Sequence, residues 1–71
     1  MMVVARWESS GGKHWAELHD NGDGSFSYRG NGCGGFMGAM SQALAIAELE
    51  RKVGDGYFLP DVAKTPMKRI K

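Results

Sequence analysis

Gly30-Asn31-Gly32-Cys33-Gly34-Gly35 divides this 71-residue chain in two. Four of the six positions are glycine, which offers no side chain to a sheet and loses the most backbone freedom on ordering. The stretch therefore reads as the end of a sheet, with strand-like sequence before it and helix-like sequence after it. The architecture expected is α+β: a three-stranded antiparallel meander packed on one α-helix over residues 36–53.

Upstream, the side chains alternate with the period of two that a half-buried strand requires. Val3, Ala5 and Trp7 share one face of a first strand, and Val4, Arg6 and Glu8 share the other. Ser9-Ser10-Gly11-Gly12 reads as a hairpin turn, since glycine supplies positive φ. In the next segment, His14 to His19, Ala16 and Leu18 oppose Trp15, Glu17 and His19. Asp20-Asn21-Gly22-Asp23-Gly24 is a second turn. Ser25 to Gly30 makes the third strand, with Phe26 and Tyr28 inward and Ser25, Ser27 and Arg29 outward.

Downstream, Phe36 to Val53 has no proline and a single glycine, and is rich in alanine, leucine and methionine. Phe36, Ala39, Met40, Ala43, Ile46 and Ala47 fall on one side of a helix, opposite Ser41, Glu48 and Lys52. Gly54 is expected to end the helix in a left-handed cap, with Arg51 and Lys52 at its negative end. Tyr57-Phe58-Leu59 reads as a brief fourth strand or as an extended segment against the core. Thr65-Pro66 reads as the start of a last helical turn or as part of a frayed tail. Residues 1–63 form one domain and residues 64–71 a basic C-terminal tail.

Length and charge bound the function. A chain this short buries a modest core and is marginally stable alone. The net charge of +1 is uneven: Lys64, Lys68, Arg69 and Lys71 close the chain, while residues 1–63 hold five basic and eight acidic side chains. An acidic body with a short basic tail differs from a nucleic-acid domain whose basic residues cover a face. The tail is placed to touch phosphate, an acidic protein surface or only solvent. A single cysteine, Cys33, fits a reducing cytoplasm, and the N-terminus reads as neither signal peptide nor membrane span.

The chemical motifs fail on context. Gly30-x-Gly32-x-x-Gly35 matches a dinucleotide fingerprint in form, but the acidic residue that should close a second strand is absent, since Glu48 and Glu50 fall inside the helix. The segment from Asp20 puts glycine at the third and fifth positions of a calcium loop, where ligands belong. His14 and His19 are five residues apart on one strand and point to opposite faces. Cys33, near the expected helix N-terminus, has neither a base nor an orienting group. No motif calls for a cofactor, a metal or an enzyme.

The outer face of the sheet carries the binding candidates. Trp15 faces out with Glu17 and His19, beside Arg6 on one neighbouring strand and Arg29 on the other, and Trp and Arg are enriched at interface hot spots. The competing reading packs Trp15 on the tail or on Tyr57 and Phe58. Asn31 in the glycine loop and Lys68 and Arg69 in the tail complete the candidate set.

A strand-strand-strand-helix layout through Val53, with the helix Phe36-Met37-Gly38-Ala39-Met40 following the glycine loop, resembles the small anti-CRISPR inhibitors made by phages and mobile elements. That resemblance implies a cytoplasmic, non-enzymatic protein that binds a Cas subunit or surveillance complex and blocks DNA recruitment or cleavage. The weak net charge of the body favours steric blocking over DNA mimicry. The alternative is a small nucleic-acid-binding module that uses Trp15, Tyr28, Arg29 and the basic tail. Met37, Leu44, Ala45 and Leu49, outside the helix's main stripe, leave both a monomer and a homodimer open.

Overall fold

The structure is a computed structural model and describes residues 2–58 and 67–71. It is an α+β domain in which a five-stranded antiparallel sheet carries one helix on one face. The strands are β1 (Met2–Ser9), β2 (Trp15–Asp20), β3 (Ser25–Gly30), β4 (Cys33–Ala39) and β5 (Met67–Arg69), and the helix is α1 (Gln42–Gly54). Their order across the sheet is β4-β3-β2-β1-β5.

The second and third strands follow the alternation expected of them, the first follows it only from Ala5 onward, and local polar chemistry closes their turns. Between β1 and β2 the chain makes one 3₁₀ turn, with Gly11 at φ 81° and Gly12 at φ 73°. The Ser9 hydroxyl accepts from His14 N–H at 3.0 Å across it. Between β2 and β3, Asp20 Oδ1 accepts from Gly22 N–H at 2.8 Å and Asp23 Oδ1 from Ser25 N–H at 3.0 Å. Both aspartates thus fold back onto their own backbone, a common use of this residue in turns.

The glycine-rich segment departs from expectation. It does not end the sheet: Gly30 pairs with Cys33, Asn31 and Gly32 form a tight turn, and β4 runs back along β3 as far as Ala39. Only Gly32, at φ 89°, takes a positive angle in that turn. Bare backbone is what the site requires. A β-carbon on Gly35 would stand 2.9 Å from the Tyr28 hydroxyl, and one on Gly34 would stand 3.0 Å from the Tyr28 carbonyl oxygen.

The helix accordingly starts at Gln42, not near Phe36, with Ser41 as its N-cap accepting from Leu44 N–H at 3.2 Å. Its buried side chains are Ala45, Leu49 and Val53, one turn apart, while Ala43 and Ala47 of the expected stripe are exposed. The left-handed C-terminal residue is Gly56 at φ 80°, not Gly54, which is the helix's last residue. Gly56 N–H reaches Val53 O at 3.1 Å and Tyr57 N–H reaches Lys52 O at 3.0 Å, the pair of bonds that defines a Schellman cap.

Tyr57 and Phe58 lie in a turn rather than a strand, and Phe58 is buried in the core. Leu59 and the expected helical turn at Thr65-Pro66 lie outside the described residues. Of the stretch read as a basic tail, Met67–Arg69 forms β5, paired with Trp7, Glu8 and Ser9 of β1.

Two β-bulges shift the faces. The one at Val4 turns that residue towards the core in place of Val3, which lies opposite His19. The one at Met37 turns Met37 towards the core and leaves Phe36 opposite Ser27. Beneath α1 the core is Ala5, Trp7, Ala16, Leu18, Phe26 and Phe58 with the helix's three buried residues. Burying a large apolar side chain is worth roughly 1.5–3 kcal/mol, and Trp7, Leu18 and Leu49 are the largest that are fully enclosed. With Ala45 and Leu49 inside the domain and Met37 on β4, only Leu44 of the four residues linked to a helix-mediated dimer is an exposed helix residue.

Candidate functional site

The face of the sheet opposite α1 is built by the odd–even alternation of five neighbouring strands. Strand pairing lays its side chains out in rows. One row runs Phe36, Ser27, His19, Val3. The next runs Gly34, Arg29, Glu17, Arg6, with Ile70 N–H bonded to Arg6 O at 2.8 Å beyond it. A third places Trp15, Glu8 and Lys68 side by side.

Arg6 is the hub. Its Nε donates to Glu8 Oε2 at 2.7 Å and its Nη1 to Glu17 Oε2. Its guanidinium lies over the Trp15 ring, 4.8 Å from the centroid. Glu17 Oε1 in turn meets His19 Nε2 at 2.9 Å. One planar cation thus bridges two carboxylates on adjacent strands and stacks on an indole, a set of contacts an ammonium would not reproduce. Burial pushes the Glu17 carboxyl up, but hydrogen bonds from His19 and Arg6, together with the Arg6 charge, outweigh it and hold the group below its ordinary range. The hydrogen bond to Glu8 raises Arg6; burial opposes this, and Glu17 reinforces it.

Trp15 is half-buried, and its ring packs under Arg6 rather than on Tyr57 and Phe58. Those two aromatics instead meet Tyr28 edge-on on the helix side, with centroids 6.2 Å and 5.9 Å away. Arg29 is exposed and lies directly beside Glu17. Lys68 is exposed and pairs with Glu8 across the β1–β5 joint.

Two of the candidates stand apart from this face. Asn31 serves the hairpin: its Oδ1 accepts from Trp15 N–H at 2.8 Å and its Nδ2 meets His14 Nδ1 at 3.2 Å. Arg69 is on the helix side, its guanidinium 5.8 Å from the Trp7 ring centroid. Glu8 was not singled out from the sequence, although its two-residue spacing from Arg6 puts both on one strand face. Phe36 was missed because its segment read as helix; it is 71% exposed.

The other sequence motifs become structural. The Gly30-x-Gly32-x-x-Gly35 stretch is a strand–turn–strand hairpin, so its amides do not gather at a helix N-terminus. Cys33 starts β4 and packs against the core, away from the first turn of α1. Among the described residues, no group of three or more His, Cys, Asp or Glu side chains is placed to hold a metal ion. No helix among them is long and apolar enough to cross a membrane.

Comparison with family models, with curated proteins and with solved structures finds no match for the chain.

Proposed function

We propose that the chain is a non-enzymatic inhibitor or adaptor that docks on a larger protein through the outer face of its sheet. One observation carries the reading: Trp15 is held in place by Arg6, which Glu8 and Glu17 fix in turn, on a face that α1 leaves uncovered. A ring already locked in its bound position loses little side-chain entropy on association, which is how an aromatic anchor contributes affinity. Arg29 and Lys68 supply exposed cations on either side of it for acidic groups of the partner.

The resemblance to anti-CRISPR inhibitors, which retains its strands-before-helix order although Phe36–Ala39 belongs to β4 and not to the helix, makes a Cas subunit or surveillance complex the first partner to try, with occlusion of DNA recruitment or cleavage as the mode of action. The nucleic-acid reading is weaker on this face, because Glu8 and Glu17 occupy its centre and engage Arg6. The test is capture of purified Cas complexes and of lysate proteins by the tagged chain, with and without nuclease. Trp15→Ala and Arg29→Glu are expected to abolish nuclease-resistant capture while circular dichroism stays that of the wild type. Capture by both variants at the wild-type level would rule out the outer face. Capture that disappears with nuclease would transfer the function to nucleic-acid binding.

A further inference from the structure

The two edges of the sheet differ in kind. The β5 edge is three residues long and carries Lys68 and Arg69, and short length and cationic side chains are devices that discourage edge-to-edge pairing. The β4 edge is seven residues long, Cys33-Gly34-Gly35-Phe36-Met37-Gly38-Ala39, with no charge and no proline. Gly34, Gly35 and Phe36 are exposed along it. An edge strand turns the N–H and C=O of alternate residues away from its one neighbour, so among the described residues β4 offers a row of unpaired backbone groups. Its regular part runs from Cys33 to Phe36, and the bulge at Met37 and the φ of 99° at Gly38 end it.

We propose that this edge joins two copies of the chain, which pair antiparallel through β4 about a two-fold axis beside Gly35 and merge their sheets. The occupant follows from what the edge presents. A neutral strand paired with itself sets no like charges opposite one another, whereas β5 paired with itself would bring lysines and arginines together. Antiparallel pairing about Gly35 sets residue 34 of one copy against residue 36 of the other, on the outer face. Each exposed Phe36 ring then covers the bare backbone of the other copy's Gly34, the cross-strand aromatic-on-glycine pairing that rescues edge glycines.

The neighbouring side chains fit that register. Arg29 already leans over Gly34, its Cγ 3.7 Å from where a β-carbon would be. Its guanidinium is in reach of the incoming aromatic face, where a cation is favoured. On the helix side, the Tyr28 ring of each copy lies against Gly35 and covers the centre of the joint. This joint is independent of the docking face proposed above, and it would place two such faces on one side of a continuous sheet.

Sedimentation over a concentration series extending to millimolar protein tests the proposal, because a joint of this size makes a weak dimer. The mass is expected to rise from 7.7 kDa towards twice that value. Phe36→Lys should hold it at the monomer value with unchanged circular dichroism. A second variant reads the register at the end of the paired stretch, where the bulge begins: Met37→Cys should oxidise with the native Cys33 of the other copy to a covalent dimer. Within one chain the two positions are roughly 13 Å apart along a strand, too far for a disulfide. A monomer mass at every concentration, including one that shifts only when a foreign extended peptide is added, would overturn the proposal. So would a dimer that Phe36→Lys leaves intact.

Discussion

The backbone of Gly30 lies against the ring of Phe58: a β-carbon at Gly30 would stand 2.8 Å from Phe58 Cε1 and 3.0 Å from the Trp15 carbonyl oxygen. Phe58, 4% exposed, thus closes the core over the end of β3, at the one position in that strand where no side chain intervenes. Gly30→Ala is expected to destabilise the domain by about 1–3 kcal/mol through overpacking. At this chain length each kcal/mol lowers the melting temperature by about 4–8 °C. Phe58→Ala alone should cost about 3–5 kcal/mol by leaving a cavity. The double variant should lose less than the sum, because removing the ring relieves the clash. Thermal melts of the four proteins measure that coupling, and strict additivity would show that the two residues do not meet.

The two glycines after the helix should respond in opposite directions. Gly54 has helical geometry and open space around its Cα, so Gly54→Ala is expected to stabilise by about 0.5–1 kcal/mol. Gly56 holds φ at 80° to complete the Schellman cap, and Gly56→Ala should destabilise by about 1 kcal/mol. Urea unfolding of the two variants beside the wild type reads both signs. The reverse order would return the cap to Gly54.

These positions also show how far the sequence alone carries. The first three strands were legible because Ala16 and Leu18 alternate with Trp15, Glu17 and His19, and each strand ends in glycine or aspartate turns. Most of the outer face followed from the same alternation, but Val3, moved there by the bulge at Val4, and Phe36 on β4 did not. β4 was not legible, because its glycines remove both strand propensity and the period-two signal, and the bulge at Met37 breaks what alternation remains. What makes it a strand is tertiary: Tyr28 needs bare backbone at Gly35. Reading β4 as helix hides Ser41 as the cap and measures the helix stripe from the wrong start. β5 has three residues and no pattern, and it exists only through its pairing with β1.

Acid should weaken the outer face through Glu17. Its folded carboxyl is held below the ordinary value of 4.5, so its contribution to stability is complete above that value and is lost as pH falls through the lowered one. The wild-type urea midpoint is therefore expected to drop as pH is taken from 6 down to 3. Glu17→Gln, which lacks the titrating group, should start lower at pH 6 and show a shallower pH dependence. Equal slopes for the two proteins would mean that the carboxylates responsible for acid sensitivity lie elsewhere.

Tyr28 should titrate late, and Tyr57 should be the reason. The two hydroxyls are 3.3 Å apart, and the Tyr28 phenol is pushed up to about 12, first by its hydrogen bond to Tyr57, then by burial and by the nearby Tyr57 and Cys33 charges. Tyr57→Phe removes the hydroxyl, leaves the aromatic packing on Phe58, and makes Tyr28 the chain's only tyrosine. Its phenolate absorbance should then appear at lower pH, shifted from about 12 towards the ordinary value of 10.0. Far-ultraviolet circular dichroism across the same titration separates that shift from alkaline unfolding. A Tyr28 that titrates at the same pH with and without the Tyr57 hydroxyl would show that burial, not the hydrogen bond, holds the proton.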